Sequence, residues 1–290
     1  MNGTQNEVWH VLNALNIWDA TPWVGEDSTS ISYYLWSNYW PPGFYLLSWP
    51  FLAVMGATHH SLVMSNLLHL GVLLFAVYGL AERLRGPVAG MWAMALVMTY
   101  PSITGNLVRY EPSVALAAWV SLGALALLRS RGFMDWRWSL AFAVISSVGL
   151  MVDRLSYGIF LLIPAVAEAW RGLRTGAVSQ RLRNLGAAAL VVVVFCGYWH
   201  FQFVQNHLQE VLSQGGAGNI DSDGSYTELR DPMALKTWLF YFAVLLDSQA
   251  GLIPGGLGLI AVWSWFRRPA GSDRVVAWVF MSAMVVLTLI

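Results

Sequence analysis

Apolar residues along this chain gather in long runs, without the strict alternation that is typical of half-buried strands. The runs that resemble membrane-crossing helices lie at about 62–82, 88–106, 112–128, 138–152, 155–170, 185–204, 250–266 and 274–290. A helix needs about 20 apolar residues to cross the hydrocarbon core of a bilayer. The short runs at 138–152 and 155–170 are interpreted as a hairpin that turns at the membrane surface. The pattern predicts an all-α, polytopic membrane helix bundle over residues 61–290, with an extracytoplasmic loop at 205–235.

The first sixty residues have a shorter, amphipathic pattern. One helical face between Glu7 and Trp18 carries large apolar residues, and the other carries polar residues at every third position. The apolar members are Val8, Val11, Leu12, Leu15 and Trp18, and the polar members are Glu7, His10, Asn13 and Asn16. Such a helix lies in the membrane interface, either as a simple anchor or with its polar face toward a water-filled cavity. Pro41 and Pro42 favour the start of a second interfacial helix that ends at Gly56.

The composition agrees with a membrane location. Of the 290 residues, 57% are hydrophobic and only 11% are charged, and the mean hydropathy is +0.54. A soluble domain is about 25% charged, because its surface must interact with water. The 16 Trp residues also indicate a membrane protein, since indole rings concentrate at the interfaces. The single cysteine, Cys196, excludes an internal disulfide.

Charged residues divide between the loops in a way that predicts the orientation. Loops at 83–87, 129–137, 171–183 and 267–274 contain 12 of the 16 Lys and Arg residues, whereas 12 of the 16 Asp and Glu residues fall on the other side. Basic loops remain in the cytoplasm, because their translocation is costly. Residues 1–60 are therefore expected to form an extracytoplasmic loop with two interfacial helices, in a multi-pass protein of the plasma (inner) membrane. We also expect further spans before and after this sequence.

Ionisable residues near the predicted outer ends of the spans are candidates for chemistry, because charge near a membrane boundary is costly. Arg109 lies two residues from Glu111, and Arg154 follows Asp153. Each pair either fixes the topology as an ion pair or takes part in a reaction. A carboxylate can accept the proton of an attacking hydroxyl, and arginine can hold a departing phosphate. Glu7 offers such a carboxylate on the polar face of the first helix.

Several short motifs follow one another in a recognisable order. They are Asn6-Glu7-Val-Trp-His, Pro41-Pro42-Gly43-Phe44-Tyr45, Met55-Gly56, Arg83-Leu-Arg85-Gly86, Tyr100-Pro101, Arg109-Tyr110-Glu111 and Gly149-Leu150-Met-Val-Asp153-Arg154. This order, over about residues 6–170, resembles the GT-C glycosyltransferases, in particular the protein O-mannosyltransferases and the aminoarabinose transferases of lipid A. Two positions depart from the family pattern. The family's first acidic residue is Asn6 here, and a lysine that often precedes the proline pair is Trp40.

The resemblance implies a GT-C-like fold and an inverting transfer of a hexose or pentose from a polyprenyl-phosphate donor to an acceptor hydroxyl. The implied catalytic positions are Glu7, Asn6 and Glu111, and the implied donor phosphate-binding positions are Arg109 and Arg154. Acceptor or sugar contacts are expected from His10, Asp19, Asp27, Tyr45 and Asp153. The Asn6 departure is compatible with another base, such as Asp19 or Asp27, or with loss of activity. No metal ligand is assigned, and a need for a divalent metal stays open.

The expected partners are the bilayer, the lipid-linked sugar donor and a glycan, lipid or protein acceptor. No basic aromatic patch indicates nucleic acid. His59 and His60 have no further ligand at metal spacing, so we expect their side chains to be solvated. Two alternatives remain, a transporter or flippase of a lipid-linked or amphipathic substrate and a degenerate, non-catalytic membrane scaffold. Transporters place ionisable groups near the bilayer midplane, whereas these groups collect on one side, which favours an enzyme.

Overall fold

The structure is a computed structural model that describes residues 5–21, 35 and 40–214. Within these ranges the chain is helical and contains no strand, which confirms the all-α prediction for this part of the protein. The helices are α1 Gln5–Asp19, α2 Gly43–Leu46, α3 Trp49–Met55, α4 His59–Met64, α5 Asn66–Arg85, α6 Pro87–Met98, α7 Pro101–Leu107, α8 Ser113–Arg129, α9 Trp136–Val152, α10 Arg154–Arg174 and α11 Val178–Gln214. The apolar runs at 250–266 and 274–290 lie outside the described residues.

Most apolar runs of the described region correspond to single helices, namely α5, α8, α9, α10 and α11. The run at 88–106 is different, because α6 ends at Met98 and α7 begins at Pro101. Tyr100 between them is extended, with ψ of 120°. A proline disfavours the helical conformation in the residue before it, which accounts for this break. The run therefore forms two helices instead of one span.

The second interfacial helix of the first sixty residues is also divided. It consists of α2 and α3, which are separated at Leu47 and Ser48. It ends at Gly56, as the sequence predicts, and Gly56 has φ of +86°, which glycine adopts without steric cost. The predicted start of a loop at residue 205 is wrong, since α11 continues as a helix to Gln214.

Two helical segments are long and apolar enough to cross a membrane. They are His59–Arg85, of 27 residues, which combines α4 with α5, and Val178–Gln205, of 28 residues, which is most of α11. The shorter apolar helices α6, α8 and α9 have 12, 17 and 17 residues. A membrane location is therefore compatible with the length and composition of two helices.

The longer helices form a bundle in which neighbours along the chain run in opposite directions. α5 packs against α6 and α8, and α9 packs against α8 and α11, while α10 contacts α8, α9 and α11. We call the end of this bundle that contains Glu7, Tyr110 and Asp153 the acidic end. The opposite end, which contains Arg85, Arg129 and Arg174, is called the arginine end.

Close contact between α8, α9 and α10 depends on two glycines and one tyrosine. Tyr157 of α10 is buried, and its hydroxyl donates a hydrogen bond to Oγ of Ser146 at 3.2 Å. A Cβ atom on Gly149 would lie 2.0 Å from the Tyr157 ring, and one on Gly123 would lie 2.6 Å from its hydroxyl. Small residues allow helix backbones to approach closely. The Tyr157 ring therefore occupies space that any larger residue at either position would take.

The turn between α8 and α9 is bound to α11 by side-chain hydrogen bonds. Arg181 donates to the carbonyl oxygens of Arg131 and Gly132 at 2.7 and 2.6 Å. Asn184 donates to those of Phe133 and Met134 at 2.9 and 3.1 Å. The first three of these turn residues all have positive φ, between 54° and 66°. These bonds hold the turn in a conformation that residues other than glycine rarely adopt.

Several polar side chains are buried beside the apolar core, and many large apolar side chains are exposed. Asn66, His69, Ser139, Ser146 and Ser147 are buried between helices. Large apolar side chains are exposed on the outer faces, among them Phe75, Trp92, Leu162, Val194, Phe195 and Phe201. Exposed apolar patches of this extent mark surfaces that contact a membrane or another apolar partner.

Substitution at Gly149 tests the close contact with Tyr157. Gly149→Ala should lower the stability of the protein by about 1–3 kcal/mol, because the new methyl group has no room beside the Tyr157 ring. Gly71 is the matched control, since it is also within a helix and has no atom within 4 Å of a Cβ position. Gly71→Ala should leave stability unchanged or raise it by up to about 1 kcal/mol. Thermal unfolding in detergent measures both, and equal stability of the two variants would contradict the contact.

Candidate functional site

Helix α1 packs against the bundle with a face that is partly polar and partly apolar. Glu7 and His10 are buried, at 6% and 3% exposure, together with Val11 of the predicted apolar face. Trp9 is 59% exposed, and Asn16 of the predicted polar face is exposed as well. The buried face therefore differs from both faces that the periodicity predicts, and its polar residues contact other protein residues.

The Glu7 carboxylate joins two distant segments of the chain. Its Oε1 lies 2.9 Å from Nε2 of His59, at the start of α4, and accepts a 3.2 Å hydrogen bond from the backbone N–H of Tyr110. Burial alone would raise the pKa of the Glu7 carboxyl, but the hydrogen bonds from His59 and Tyr110 and the charges of His59 and Arg109 outweigh it. The pKa of Glu7 is therefore held below its ordinary value, and the carboxylate is ionised at neutral pH.

The segment that carries Arg109, Tyr110 and Glu111 is fixed from two sides. The side-chain amide of Asn66 donates to the carbonyl oxygen of Arg109 at 2.6 Å. The Tyr110 ring is fully buried and stacks on Phe44 with a centroid distance of 4.7 Å. These contacts hold the Tyr110 amide toward Glu7, and they leave the Arg109 side chain exposed.

His10 belongs to a buried polar group beneath this surface. Its Nδ1 lies 2.9 Å from the Tyr45 hydroxyl, and its ring lies 5.1 Å from that of Trp40. Burial lowers the pKa of His10 to about 4, and the charges of Glu111 and Asp153 act in the opposite direction. His10 is therefore neutral at pH 7. Since His10 and Tyr45 are both buried, their expected contact with a sugar or acceptor stays a prediction.

The other predicted site residues have different environments. Asp153 caps the start of α10, where its Oδ1 accepts a 3.1 Å hydrogen bond from the backbone N–H of Ser156. Arg154 is the first residue of α10. Asn6 and Asp19 are exposed, near the two ends of α1. Asp27 lies outside the described residues.

The structure thus brings several of the predicted residues together at the acidic end. Arg109 is close enough to act on the charge state of Glu7, and Glu111 and Asp153 act on that of His10. Asp19 is three helical turns from Glu7 along α1 and is not part of this group. No three His, Cys, Asp or Glu side chains are grouped to hold a metal ion in the ranges that the structure describes.

His59 is the functional candidate that the sequence does not reveal. Its side chain is 36% exposed, so solvent reaches it as expected, but Nε2 also pairs with Glu7. Thr58 positions it by capping α4, where the Thr58 hydroxyl accepts from the backbone N–H of Ser61. The one available signal is this threonine, which predicts a helix start and so a fixed orientation for the next residue.

Comparisons with protein-family models, with curated proteins and with solved structures give no match to this chain. The resemblance to the GT-C glycosyltransferases therefore stays a prediction from the order of motifs.

Replacement of Glu7 tests the ionised carboxylate at the acidic end. Glu7→Gln should lower stability at neutral pH by about 1–2 kcal/mol, a range kept low because solvent reaches His59. The folded pKa of Glu7 is depressed, so its contribution is complete above the unfolded value of 4.5 and is lost as the pH falls through the folded value. The difference in stability between wild type and variant should accordingly shrink below about pH 4.5.

Asp19→Asn provides the control for this experiment, since it removes an exposed carboxylate from the same helix. It should change stability by less than about 0.5 kcal/mol. Thermal unfolding between pH 3 and pH 7 measures both variants. A Glu7→Gln effect that is independent of pH would contradict the role of the ionised carboxylate.

Proposed function

We propose that this chain is a membrane glycosyltransferase that moves a sugar from a polyprenyl-phosphate donor to an acceptor hydroxyl at the extracytoplasmic face. The observation that carries the proposal is the group formed by Glu7, His59 and Arg109 at the acidic end. It combines a proton acceptor, a carboxylate that orients it and an exposed cation. The proposal also rests on the order of motifs that resembles the GT-C family.

A multi-pass location in the plasma (inner) membrane is part of the proposal. The large apolar side chains exposed on the outer faces support it, as does the low burial of the apolar window of α11, of which 17% is inside the protein. The exposed residues Val8, Trp9 and Leu12 of α1 fit a helix that lies in the interface, with Trp9 toward the lipid. The acidic end then lies outside the cytoplasm, because the arginine end follows the positive-inside rule.

The geometry supports a proton acceptor at His59. Nε2 of His59 is bound to Glu7, and its second ring nitrogen has no hydrogen-bond partner among the described residues. His59 is also the more exposed member of the pair. A carboxylate that binds one imidazole nitrogen orients the ring and leaves the other nitrogen to accept a proton. In this proposal Glu7 is a positioning residue, and His59 takes the role of base that the sequence analysis gave to Glu7.

The proposed reaction balances with these groups. The acceptor oxygen attacks the anomeric carbon of the sugar, and its proton passes to Nδ1 of His59. The bond between the anomeric carbon and the donor phosphate breaks, and its electron pair remains on the phosphate. Arg109 is exposed and can stabilise the charge that develops there. Glu111 and Asp153 are proposed to bind hydroxyl groups of the sugar or the acceptor.

An assay of sugar transfer from a radiolabelled polyprenyl-phosphate sugar tests this function. His59→Gln should lower kcat by about 100-fold or more, because the proton acceptor is lost. His60→Gln is the matched control, since His60 is the exposed neighbour on the same helix, and it should retain wild-type activity. Arg109→Gln should lower kcat by about 100-fold, whereas Arg137→Gln at the arginine end should have no effect.

Three outcomes of this assay would contradict the proposal. Equal turnover of the His59 and His60 variants would remove His59 from the mechanism. Movement of the lipid-linked substrate across the bilayer without transfer would identify a transporter instead. Absence of both activities in the wild-type protein, with a panel of lipid-linked sugars, would favour the non-catalytic scaffold.

Labelling of introduced cysteines tests the proposed orientation. The native Cys196 is 2% exposed and gives little background. A membrane-impermeant maleimide should modify Asp19→Cys in intact cells, because this residue is exposed near the acidic end. It should modify Arg137→Cys only after the cells are permeabilised. The reverse pattern would place the acidic end in the cytoplasm and would contradict the extracytoplasmic reaction.

A further inference from the structure

A cavity of about 290 Å³ lies at the arginine end, on the side of the bundle opposite to the proposed active site. Four helices and the turn between α8 and α9 surround it. The residues that line it are Arg83, Leu128, Arg131, Gly132, Arg171, Gly172, Thr175 and Arg181. Four of these are arginines, and none of the described residues that line it is acidic.

The walls of the cavity are built by close backbone packing. A Cβ atom on Gly172 would lie 2.5 Å from the carbonyl oxygen of Gly132, so α10 and the turn approach each other as nearly as glycine allows. Arg181 closes the side toward α11, where its Nε donates to the carbonyl oxygen of Gly176 at 3.0 Å and its NH1 group binds the turn. The side chain of Arg131 leaves this turn and is exposed at the cavity.

The arginines of the cavity differ in what already binds them. Arg171 forms an ion pair with the buried Glu168, and Arg181 is engaged by backbone carbonyls. Within the part of the chain that the structure describes, Arg83 and Arg131 form no ion pair with a carboxylate, and both are exposed. The cavity therefore has excess positive charge and guanidinium groups whose N–H donors are available.

Orientation by the positive-inside rule explains basic residues at this end, but not their arrangement around a cavity. Arg137 and Arg183 lie at the same end and are exposed without lining it. They serve the orientation equally well. The convergence of Arg83, Arg131 and Arg171 from three separate helix ends is an additional feature that the charge rule does not require.

We propose that this cavity binds a phosphate group. A guanidinium group forms two parallel hydrogen bonds to phosphate oxygens, and basic pockets between helices at the cytoplasmic side of membrane proteins bind anionic lipid head groups. Arg83 and Arg131 bind the phosphate, while Arg171 and Arg181 maintain the walls and add positive charge. The phosphate belongs to the head group of an anionic phospholipid or to a free phosphate or pyrophosphate ion. This site is separate from the proposed transfer reaction and does not depend on it.

Binding of defined anions to the purified full-length protein tests the site. One arm measures phosphatidylglycerol against phosphatidylcholine in nanodiscs by native mass spectrometry, and the other measures inorganic pyrophosphate in detergent by calorimetry. The Arg83→Gln/Arg131→Gln variant should bind about tenfold or more weakly than wild type. This loss is expected in the measurement, nanodisc or calorimetric, whose ligand matches the natural source of the phosphate. The matched control is Arg137→Gln/Arg183→Gln, which removes the same charge from the same end and should bind as wild type.

The outcomes distinguish a lipid head group from a free ion, and both of these from binding by general surface charge. Selective loss in the nanodisc arm alone identifies a lipid head group, and selective loss in the calorimetric arm identifies a free ion. Equal affinity of both variants in both arms would overturn the proposal, because the binding would then reflect general surface charge. Thermal unfolding of each variant accompanies the measurement, and a loss of affinity counts only for a variant that keeps the wild-type unfolding temperature.

Discussion

The acidic end depends on the buried carboxylate of Glu7 and the two donors that bind it. An ionised carboxylate cannot be removed from water unless hydrogen bonds and opposite charge replace the solvent. His59 and the Tyr110 amide supply hydrogen bonds from positions 52 and 103 residues away in the chain, and Arg109 supplies positive charge. The placement of α1, the start of α4 and the segment before α8 are therefore determined together. The buried apolar residues Val11, Ala14 and Ile17 add to this placement of α1 by packing into the core.

Much of the fold could be predicted from the hydrophobic pattern, because long apolar runs allow few structures other than helices. The breaks within these apolar runs were harder to predict from the sequence. Pro101 begins a helix, whereas Pro164 lies inside α10 without ending it. Both are prolines within apolar sequence, and the difference between them depends on neighbouring helices that can compensate for a missing backbone donor. The division of the second interfacial helix at Ser48 precedes Pro50, which lies in the first turn of α3, where its missing N–H donor costs nothing.

The candidate site could be predicted in part. The order of motifs places Glu7, Arg109 and Glu111 on one side, and the structure gathers them at one end of the bundle. The role of His59 could not be predicted from the sequence, because nothing in the residues around it indicates a carboxylate partner 52 positions away. The orientation of α1 was also undetermined. Periodicity separates a polar face from an apolar face, but the face that meets the protein combines Glu7 and His10 with Val11.

The hydrogen bonds from Arg181 and Asn184 to the turn between α8 and α9 have a mechanical consequence. Four successive carbonyl groups are attached to one helix, so α11 cannot tilt or rotate at this end unless the α8–α9 pair moves with it. At the acidic end, the contact of α11 with residue 35 is the single hydrogen bond from Trp199 to a backbone carbonyl. Separation of α11 from the turn between α8 and α9 must therefore break four hydrogen bonds, so that the two elements move together at the arginine end.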